Sequence, residues 1–234
     1  MSSLLQNALY INLESRPDRR ALIVQQLESI GIVSPERVVG VRTEMGAIGC
    51  TMSHIRCLEL ARARKWDQVC IFEDDFKCIN PERFKQSLSE FENNHMDDGF
   101  GNWSVLMLGG NNQPPYTSFP GVDYCVRIGR GCASTVGYMV KKHMYDVLIK
   151  NFKEGVTQLM REPTRGELYA LDVYWFPLQQ DGSWYLLTPL TVTQQSGYSN
   201  IENRVVNYDR LLLNLDKGWL MSPMHADMIA RQQT

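Results

Sequence analysis

The stretch "QVCIFEDDFKC", Gln68 to Cys78, decides the fold, because it places a short apolar run directly before three consecutive carboxylates. The run from Val69 to Phe72 is typical of a buried β-strand. Glu73, Asp74 and Asp75 follow where that strand ends. Two carboxylates about 4 Å apart repel each other by about 4 kcal/mol at an effective dielectric constant of about 20. A fold that keeps three together therefore raises their pKa values or binds a cation.

Strands and helices alternate around this stretch. Residues 7–13 ("NALYINL") predict the first strand, and Pro17 lies in the first turn of a helix that follows it. Residues 37–41 are the next candidate strand, and Pro81 begins another helix. A helix is also predicted from Gly46 to Lys65. Its apolar stripe consists of Ile48, Met52, Ile55 and Leu58.

The later half continues the alternation. Segments 103–110, 122–128 and 136–140 read as strands, and a helix follows over 141–152. This order predicts an α/β fold with a mostly parallel central sheet and helices on both faces. Binding sites in such sheets lie at the carboxyl ends of the strands, where the acidic triplet is found. The segment Gly109 to Asp123 has three prolines and three glycines, which predicts a long loop.

Composition narrows the function classes. The 234 residues suit one large domain, and 44% hydrophobic with 21% charged residues is ordinary for a globular protein. A net charge of -2 gives no electrostatic footprint for nucleic acid or an anionic membrane. No apolar run approaches the roughly 18 residues of a membrane span, and the first residues do not resemble a secretory leader. We therefore expect a cytoplasmic protein, without a membrane span, whose six cysteines are reduced.

A divalent metal would relieve the repulsion within the triplet. Mg²⁺ and Mn²⁺ prefer oxygen ligands and are typically held by one or two carboxylates together with substrate phosphates. Alternate side chains of an extended backbone share a face, so Glu73 and Asp75 are expected on one side and Asp74 on the other. The alternative is a turn in which the three acids are simply solvated.

Three motifs of this chain resemble glycosyltransferase family 25, which includes bacterial lipooligosaccharide galactosyltransferases and collagen hydroxylysine galactosyltransferases. They are "YINLESRPDRR" (10–20), "GAIGCTMSHIRCLELA" (46–61) and "CIFEDDF" (70–76), in the order and spacing of the family. The later "GYMVKKHMYDVLI" (137–149), "LDVYW" (171–175) and "QQSGYSNIENR" (194–204) resemble its weaker downstream blocks.

The resemblance implies a single GT-A domain over 1–234, with a nucleotide-sugar-binding half (1–110) and an acceptor or closing half (111–234). It implies an inverting transfer of a hexose, galactose or glucose, from a UDP-sugar to a hydroxyl of a glycan or protein acceptor, with Mn²⁺ or Mg²⁺ as cofactor. The chain departs from the familiar Asp-x-Asp pattern because Glu73 stands first.

The candidate donor site combines several groups. Asp75 and Glu73 are the expected metal ligands, and Glu73 or Asp74 alternatively reaches the ribose or a metal-bound water. Guanidinium groups suit phosphate and uracil oxygens, which points to the arginines after the first strand, unless they are a solvated helix start. The remaining candidates lie at strand ends or on the second predicted helix. The alternative to a role in donor binding is that they are packing or turn residues. The full set of additional donor-site candidates is Asn12, Arg16, Arg19, Arg20, Ser53, His54, Gly109, Gly110 and Asn111.

An inverting reaction needs a general base for the acceptor hydroxyl. Asp172 is the candidate, because it is a single acid among aromatic residues, where desolvation would raise its pKa. The alternative is an acid on a helix surface. Five further residues are candidates for closing over the pyrophosphate or completing the metal shell: Gln194, Gln195, Ser196, Tyr198 and His225.

Two rival functions remain open from sequence. A sugar nucleotidyltransferase also uses an α/β nucleotide sheet and divalent metals, but it needs a glycine-rich loop after the first strand, and "NLESRPDRR" (12–20) has no glycine. A non-catalytic module that binds glycans or a partner protein is the other rival. The intact carboxylates argue against that module.

Overall fold

The computed structural model describes residues 2–94, 103–199 and 204–217. The strands in these ranges are β1 (Ala8–Asn12), β2 (Glu36–Val39), β3 (Gln68–Glu73), β4 (Phe76–Cys78), β5 (Val105–Gln113), β6 (Tyr116–Phe119), β7 (Val122–Ile128), β8 (Gly131–Lys141), β9 (Trp184–Leu187), β10 (Val192–Gln194), β11 (Gly197–Ser199) and β12 (Arg204–Val206). The α-helices are α1 (Pro17–Ser29), α2 (Gly46–Ala63), α3 (Pro81–Asn94), α4 (Tyr145–Arg161), α5 (Gly166–Tyr169), α6 (Leu171–Tyr174) and α7 (Asp209–Leu212).

An eight-stranded mixed sheet organises the fold, in the order β2-β1-β3-β8-β5-β9-β7-β6. Strands β2, β1 and β3 are parallel to one another, and β5 is parallel to β9. Strand β8 is antiparallel to both β3 and β5, and β7 is antiparallel to β9 and β6. Six of the eight strands therefore run in one direction, which confirms the predicted α/β class.

Helices cover both faces of the sheet, as predicted. On one face α1 and α3 pack against the sheet, and the buried α3 residues include Phe84, Leu88 and Phe91. On the other face α2 and α4 bury Leu58 and Phe152 among the sheet residues. Each Å² of apolar area removed from water stabilises a fold by roughly 25 cal/mol. This burial on both faces stabilises the packing of the sheet between its helices.

The prediction of one long loop over Gly109 to Asp123 is wrong. Strand β5 continues to Gln113, and the segment then forms β6 and the start of β7. Gly121 has a φ of 75° and lies between β6 and β7, but the other two glycines are packing residues: a Cβ on Gly109 would lie 2.5 Å from Val192 Cγ1, and one on Gly110 would lie 2.4 Å from the Cys132 sulfur. They allow close approach of neighbouring elements instead of making a turn.

Helix α2 confirms the predicted span but not the whole predicted stripe. Met52 is 39% exposed, whereas Ser53 and His54 are buried. Both polar residues have partners inside the fold, which makes their burial acceptable. None of the helices in the described ranges combines the length and the hydropathy that crossing a bilayer requires.

Candidate active site

The carboxyl ends of β1 and β3 meet because these parallel strands are neighbours in the sheet. This places Asn12, the last residue of β1, beside the acidic triplet. Its amide donates to Asp74 Oδ2 over 2.8 Å and to the Arg16 carbonyl over 3.0 Å. The Asn12 side-chain oxygen is buried and has no hydrogen-bond partner within the described residues. Asn12 therefore positions Asp74 through a hydrogen bond, while its own side-chain oxygen has no partner among the described residues.

The predicted split of the triplet assumed an extended strand through Asp75, and the structure does not have one. Strand β3 ends at Glu73, so Asp74 and Asp75 lie in the turn before β4, where the alternation of an extended strand no longer applies. One nitrogen of Arg19, on α1, lies 2.9 Å from Asp74 Oδ1 and 3.4 Å from Asp75 Oδ2. Asp74 and Asp75 thus share a cation, while Glu73 is engaged by a different set of residues.

Glu73 is held from α2 and β8. His54 Nε2 lies 3.2 Å from Glu73 Oε1, and the Thr135 hydroxyl donates to the same oxygen. His54 Nδ1 lies 2.9 Å from the Tyr138 hydroxyl. Burial acts to raise the pKa of Glu73, but the hydrogen bonds from His54 and Thr135 outweigh it and hold the pKa below its usual value. Glu73 is therefore kept as a carboxylate.

Asp75 has the opposite character. Burial, followed by repulsion from Glu73, raises the pKa of Asp75 to about 8, although Arg19 opposes the shift. Its Oδ1 atom is buried without a hydrogen-bond partner among the described residues. A buried, unsatisfied carboxylate oxygen beside another carboxylate fits a site that a cation or a proton must complete.

Two cavities meet at the triplet. The first, of about 420 Å³, lies between the end of β1, the start of α1, the loop 40–44 and α2. The second, of about 290 Å³, is bounded by residues of β5, β8, α6, β10 and α7. The residues that line both cavities are Arg19, Cys50, Glu73 and Asp75. The carboxylates therefore face two compartments at once.

Asp172 lies in the second cavity, on the first turn of α6. Burial raises its pKa, the direction expected from its sequence context. The Ser134 backbone N–H donates to Asp172 Oδ2 over 2.9 Å, and Ser134 has a φ of 76°, a conformation that costs a non-glycine residue energy. The next residue, Thr135, donates to Glu73. Two consecutive residues of β8 thus tie Asp172 to the triplet.

The arginines do not follow the sequence prediction fully. Arg16 lines the first cavity with its guanidinium paired to Asp18, whose pKa that pairing lowers to about 2. Arg20 is exposed and lines neither cavity, so its assignment needs correction, and Arg19 takes that place. Arg42, in the loop after β2, also lines the first cavity. The sequence feature that could have identified Arg42 is its position just after β2, a strand parallel to β1.

The other predicted donor-site residues separate. Ser53 lines the first cavity, but its hydroxyl donates to the Gly49 carbonyl and accepts from the Val41 N–H, so it joins α2 to the loop 40–44. Gly110 is buried within β5 and lines neither cavity, which contradicts a sugar contact. Asn111 lines the second cavity instead of the first.

The chain after β10 closes the second cavity. Gln194 and Gln195 line it, and the Gln195 N–H donates to the Asp75 carbonyl over 2.6 Å. Ser196 lines neither cavity. The Tyr198 side chain and His225, both candidates from sequence, lie outside what the structure describes. Cys50 and Thr135, which contact Glu73, were missed, because their proximity arises only from tertiary packing.

The site is therefore an acidic strand end between two cavities, at the edge of an α/β sheet. The sequence profile described as "Glycosyltransferase family 25 (LPS biosynthesis protein)" matches residues 35–160, just over half of the chain. The chain belongs to this family and is a glycosyltransferase. The matched range holds Glu73 and Asp75 but ends before Asp172. None of the curated proteins matches the chain in sequence.

Solved structures show distant likeness. A197 from STIV is 13% identical with a TM-score of 0.41, over 89% of this chain and 95% of that one. A glycosyltransferase involved in the glycosylation of the major capsid of PBCV-1 is 10% identical with a TM-score of 0.40, over 84% and 96%. A protein described as mannose-1-phosphate geranyltransferase from Thermus thermophilus is 10% identical with a TM-score of 0.38, over 76% and 58%.

Proposed function

We propose that the chain is a metal-dependent, inverting hexosyltransferase that transfers galactose or glucose from a UDP-sugar to a hydroxyl of a glycan or protein acceptor. The observation that carries this proposal is that Glu73 and Asp75 line both cavities. One compartment then takes the donor and the other the acceptor, and the bond that is broken and the bond that is formed lie at their junction.

The first cavity suits the nucleoside diphosphate. Arg16, Arg19 and Arg42 line it, and guanidinium groups bind phosphate oxygens with bidentate geometry. The unsatisfied oxygen of Asn12 is an acceptor suited to an N–H of the uracil base or to a ribose hydroxyl. The three arginines also offset the negative charge that develops on the leaving diphosphate.

The residues present fit a hard divalent cation. Asp75 offers a buried carboxylate oxygen without a partner among the described residues, and Glu73 is a second carboxylate facing the same junction. Oxygen donors of this type are those that Mn²⁺ and Mg²⁺ prefer. A bound Mn²⁺ or Mg²⁺ supplies charge stabilisation for the diphosphate leaving group. Arg19, which contacts Asp75, orients that carboxylate.

Asp172 is the proposed general base. As the acceptor oxygen forms its bond to the anomeric carbon, the hydroxyl proton passes to the Asp172 carboxylate, and the bond between that carbon and the diphosphate oxygen breaks. The raised pKa makes Asp172 a better proton acceptor than an exposed aspartate. The Ser134 N–H holds one carboxylate oxygen and leaves the other for the acceptor.

Calorimetry of UDP binding with Mn²⁺ tests the metal assignment. The Asp75→Ala variant should lose metal-dependent UDP affinity, whereas Asp146→Ala, an exposed acid on α4, should bind as the wild type does. Unchanged affinity in Asp75→Ala removes Asp75 from the metal site.

Turnover assays then separate the rival functions. Release of UDP from a UDP-hexose, followed over a set of sugars and acceptors, is expected for the transferase. Formation of a nucleotide sugar from a nucleoside triphosphate and a sugar phosphate would identify a nucleotidyltransferase. Tight UDP binding with no turnover on any donor would instead identify a binding module.

A further inference from the structure

A cluster of three different ligand types lies on one side of the triplet. The ligand atoms of Cys50, His54 and Glu73 all lie within 4.8 Å of one another. The Cys50 sulfur is 3.8 Å from Glu73 Oε1, and His54 Nε2 is 3.2 Å from the same oxygen. Tetrahedral Zn²⁺, with bonds of about 2.3 Å to sulfur and about 2.0 Å to nitrogen or oxygen, separates such pairs by roughly 3.5 Å and 3.3 Å.

Two features arrange these atoms in advance. Cys50 and His54 are four residues apart on α2, which places both side chains on one face of the helix. The Tyr138 hydroxyl, 2.9 Å from His54 Nδ1, fixes the ring so that Nε2 is directed at Glu73. A partner of this kind on the second ring nitrogen is the usual support of a metal-binding histidine.

The cluster is open to a ligand. Cys50, His54 and Glu73 line the first cavity, so a cation reaches them from that space. Of the six cysteines, all within the described ranges, the other five are buried and line neither cavity. Cys50 is therefore the thiol that a cation entering from the cavity meets.

We propose that Cys50, His54 and Glu73 bind a thiophilic divalent cation such as Zn²⁺, and that its binding inhibits the enzyme. A thiolate and an imidazole select Zn²⁺ or Cd²⁺ over Mn²⁺ and Mg²⁺, which prefer the oxygen ligands around Asp75. Both sites use Glu73, so they compete. The binding site stands on its geometry alone, and the inhibition rests on the proposed transferase function.

Cobalt provides a spectroscopic test that does not need turnover. Co²⁺ titrated into the chelator-treated full chain should give a thiolate-to-cobalt charge-transfer band that saturates near one equivalent and disappears when Zn²⁺ is added. Cys50→Ser should lose the band, and Cys57→Ser, on the same helix but outside the cluster, should keep it. Circular dichroism of both variants checks that each is folded.

The variants also separate this site from the donor-metal site. Asp75→Ala should keep the cobalt band while it loses UDP affinity with Mn²⁺. No band in the wild type, a band retained in Cys50→Ser, or a band lost in Asp75→Ala each overturns the proposed site.

Zinc titration of activity tests the inhibition. The Zn²⁺ concentration that halves UDP release should rise about tenfold or more in Cys50→Ser, with each protein referred to its own zinc-free rate. An unchanged inhibitory Zn²⁺ concentration in Cys50→Ser overturns the inhibitory role. The cobalt titration tests the metal site independently of that result.

Discussion

The guanidinium of Arg19 lies 2.9 Å from the carboxylate of Asp74, and the same nitrogen is 3.4 Å from Asp75. A residue of the first helix thereby supplies the positive charge that two consecutive acids of the strand end require. The adjacent Arg20 is exposed and lines neither cavity. Two neighbouring arginines of the same helix therefore have different expected roles.

Replacement of these arginines should give unequal results. Arg19→Ala should weaken UDP binding in the presence of Mn²⁺ by about tenfold or more, because a hydrogen bond to a charged group is worth about 1.5–3 kcal/mol. Arg20→Ala serves as the matched control and should leave the dissociation constant unchanged. Calorimetry measures both, and equal effects of the two variants would remove the special role of Arg19.

The Asp172→Asn variant should separate binding from chemistry. We expect unchanged UDP affinity and a transfer rate lower by about two orders of magnitude or more, the scale of a lost general base. Asp146→Asn, an exposed acid on α4, is the control and should keep full activity. The measurement is the initial rate of UDP release with saturating donor. Near-normal turnover in Asp172→Asn would exclude Asp172 as the base.

Gly49 tests how α2 is fitted to the loop that borders the first cavity. A Cβ on Gly49 would lie 2.3 Å from the Val41 carbonyl oxygen, so Gly49→Ala must displace backbone. We expect a melting temperature lower by several degrees and weaker UDP binding, since overpacking typically costs about 1–3 kcal/mol. Gly166→Ala is the control, because a Cβ there meets nothing within 4 Å among the described residues. Similar melting temperatures for both variants would contradict this packing.

The raised pKa of Asp75 predicts how metal-free stability depends on pH. The pKa moves from 3.8 to about 8 on folding, so the folded protein holds a proton that the unfolded chain releases. This contribution to stability is full below about pH 4 and is lost as the pH rises through 8. Asp75→Asn lacks the ionisation, so its melting temperature should exceed that of the wild type by a few degrees at pH 9.

The same comparison has an internal check. The difference between Asp75→Asn and the wild type should shrink as the pH falls from 9 to 5 in the presence of chelator. Added Mn²⁺ at pH 9 should raise the melting temperature of the wild type and leave that of the variant unchanged. A difference that is constant with pH would show that Asp75 is ionised throughout this range.

Local patterns predicted the N-terminal elements well. The apolar period, Pro17 and Pro81 place β1, α1, β3 and α3 to within a few residues, because these signals act over one or two turns of chain. The prediction of a loop over Gly109 to Asp123 failed because the structure there depends on contacts between distant parts of the chain. Gly109 and Gly110 serve contacts with Val192 and Cys132, which lie far away in sequence, and no local pattern contains that information.

The site shows the same limit. The acidic triplet was visible because three like charges after an apolar run are unusual in any fold. The strand rule was applied two residues too far, because β3 ends at Glu73, although Glu73 and Asp75 do line both cavities and Asp74 only the first. Thr135 and Cys50 were not distinguishable from other polar residues until packing brought them to the carboxylates, and Arg19 was a candidate only together with Arg16 and Arg20.

The division between the two cavities has a practical consequence for engineering. Half of the residues that line the second cavity lie beyond the range matched by the family profile: Ala170, Leu171, Asp172, Gln194, Gln195, Val206, Tyr208, Leu211 and Leu212. Substitutions there, apart from Asp172, leave the contacts of Glu73 with α2 and β8 untouched. If the second cavity binds the acceptor, as proposed, a combinatorial library confined to these positions is the direct way to seek activity on new acceptors with the same donor.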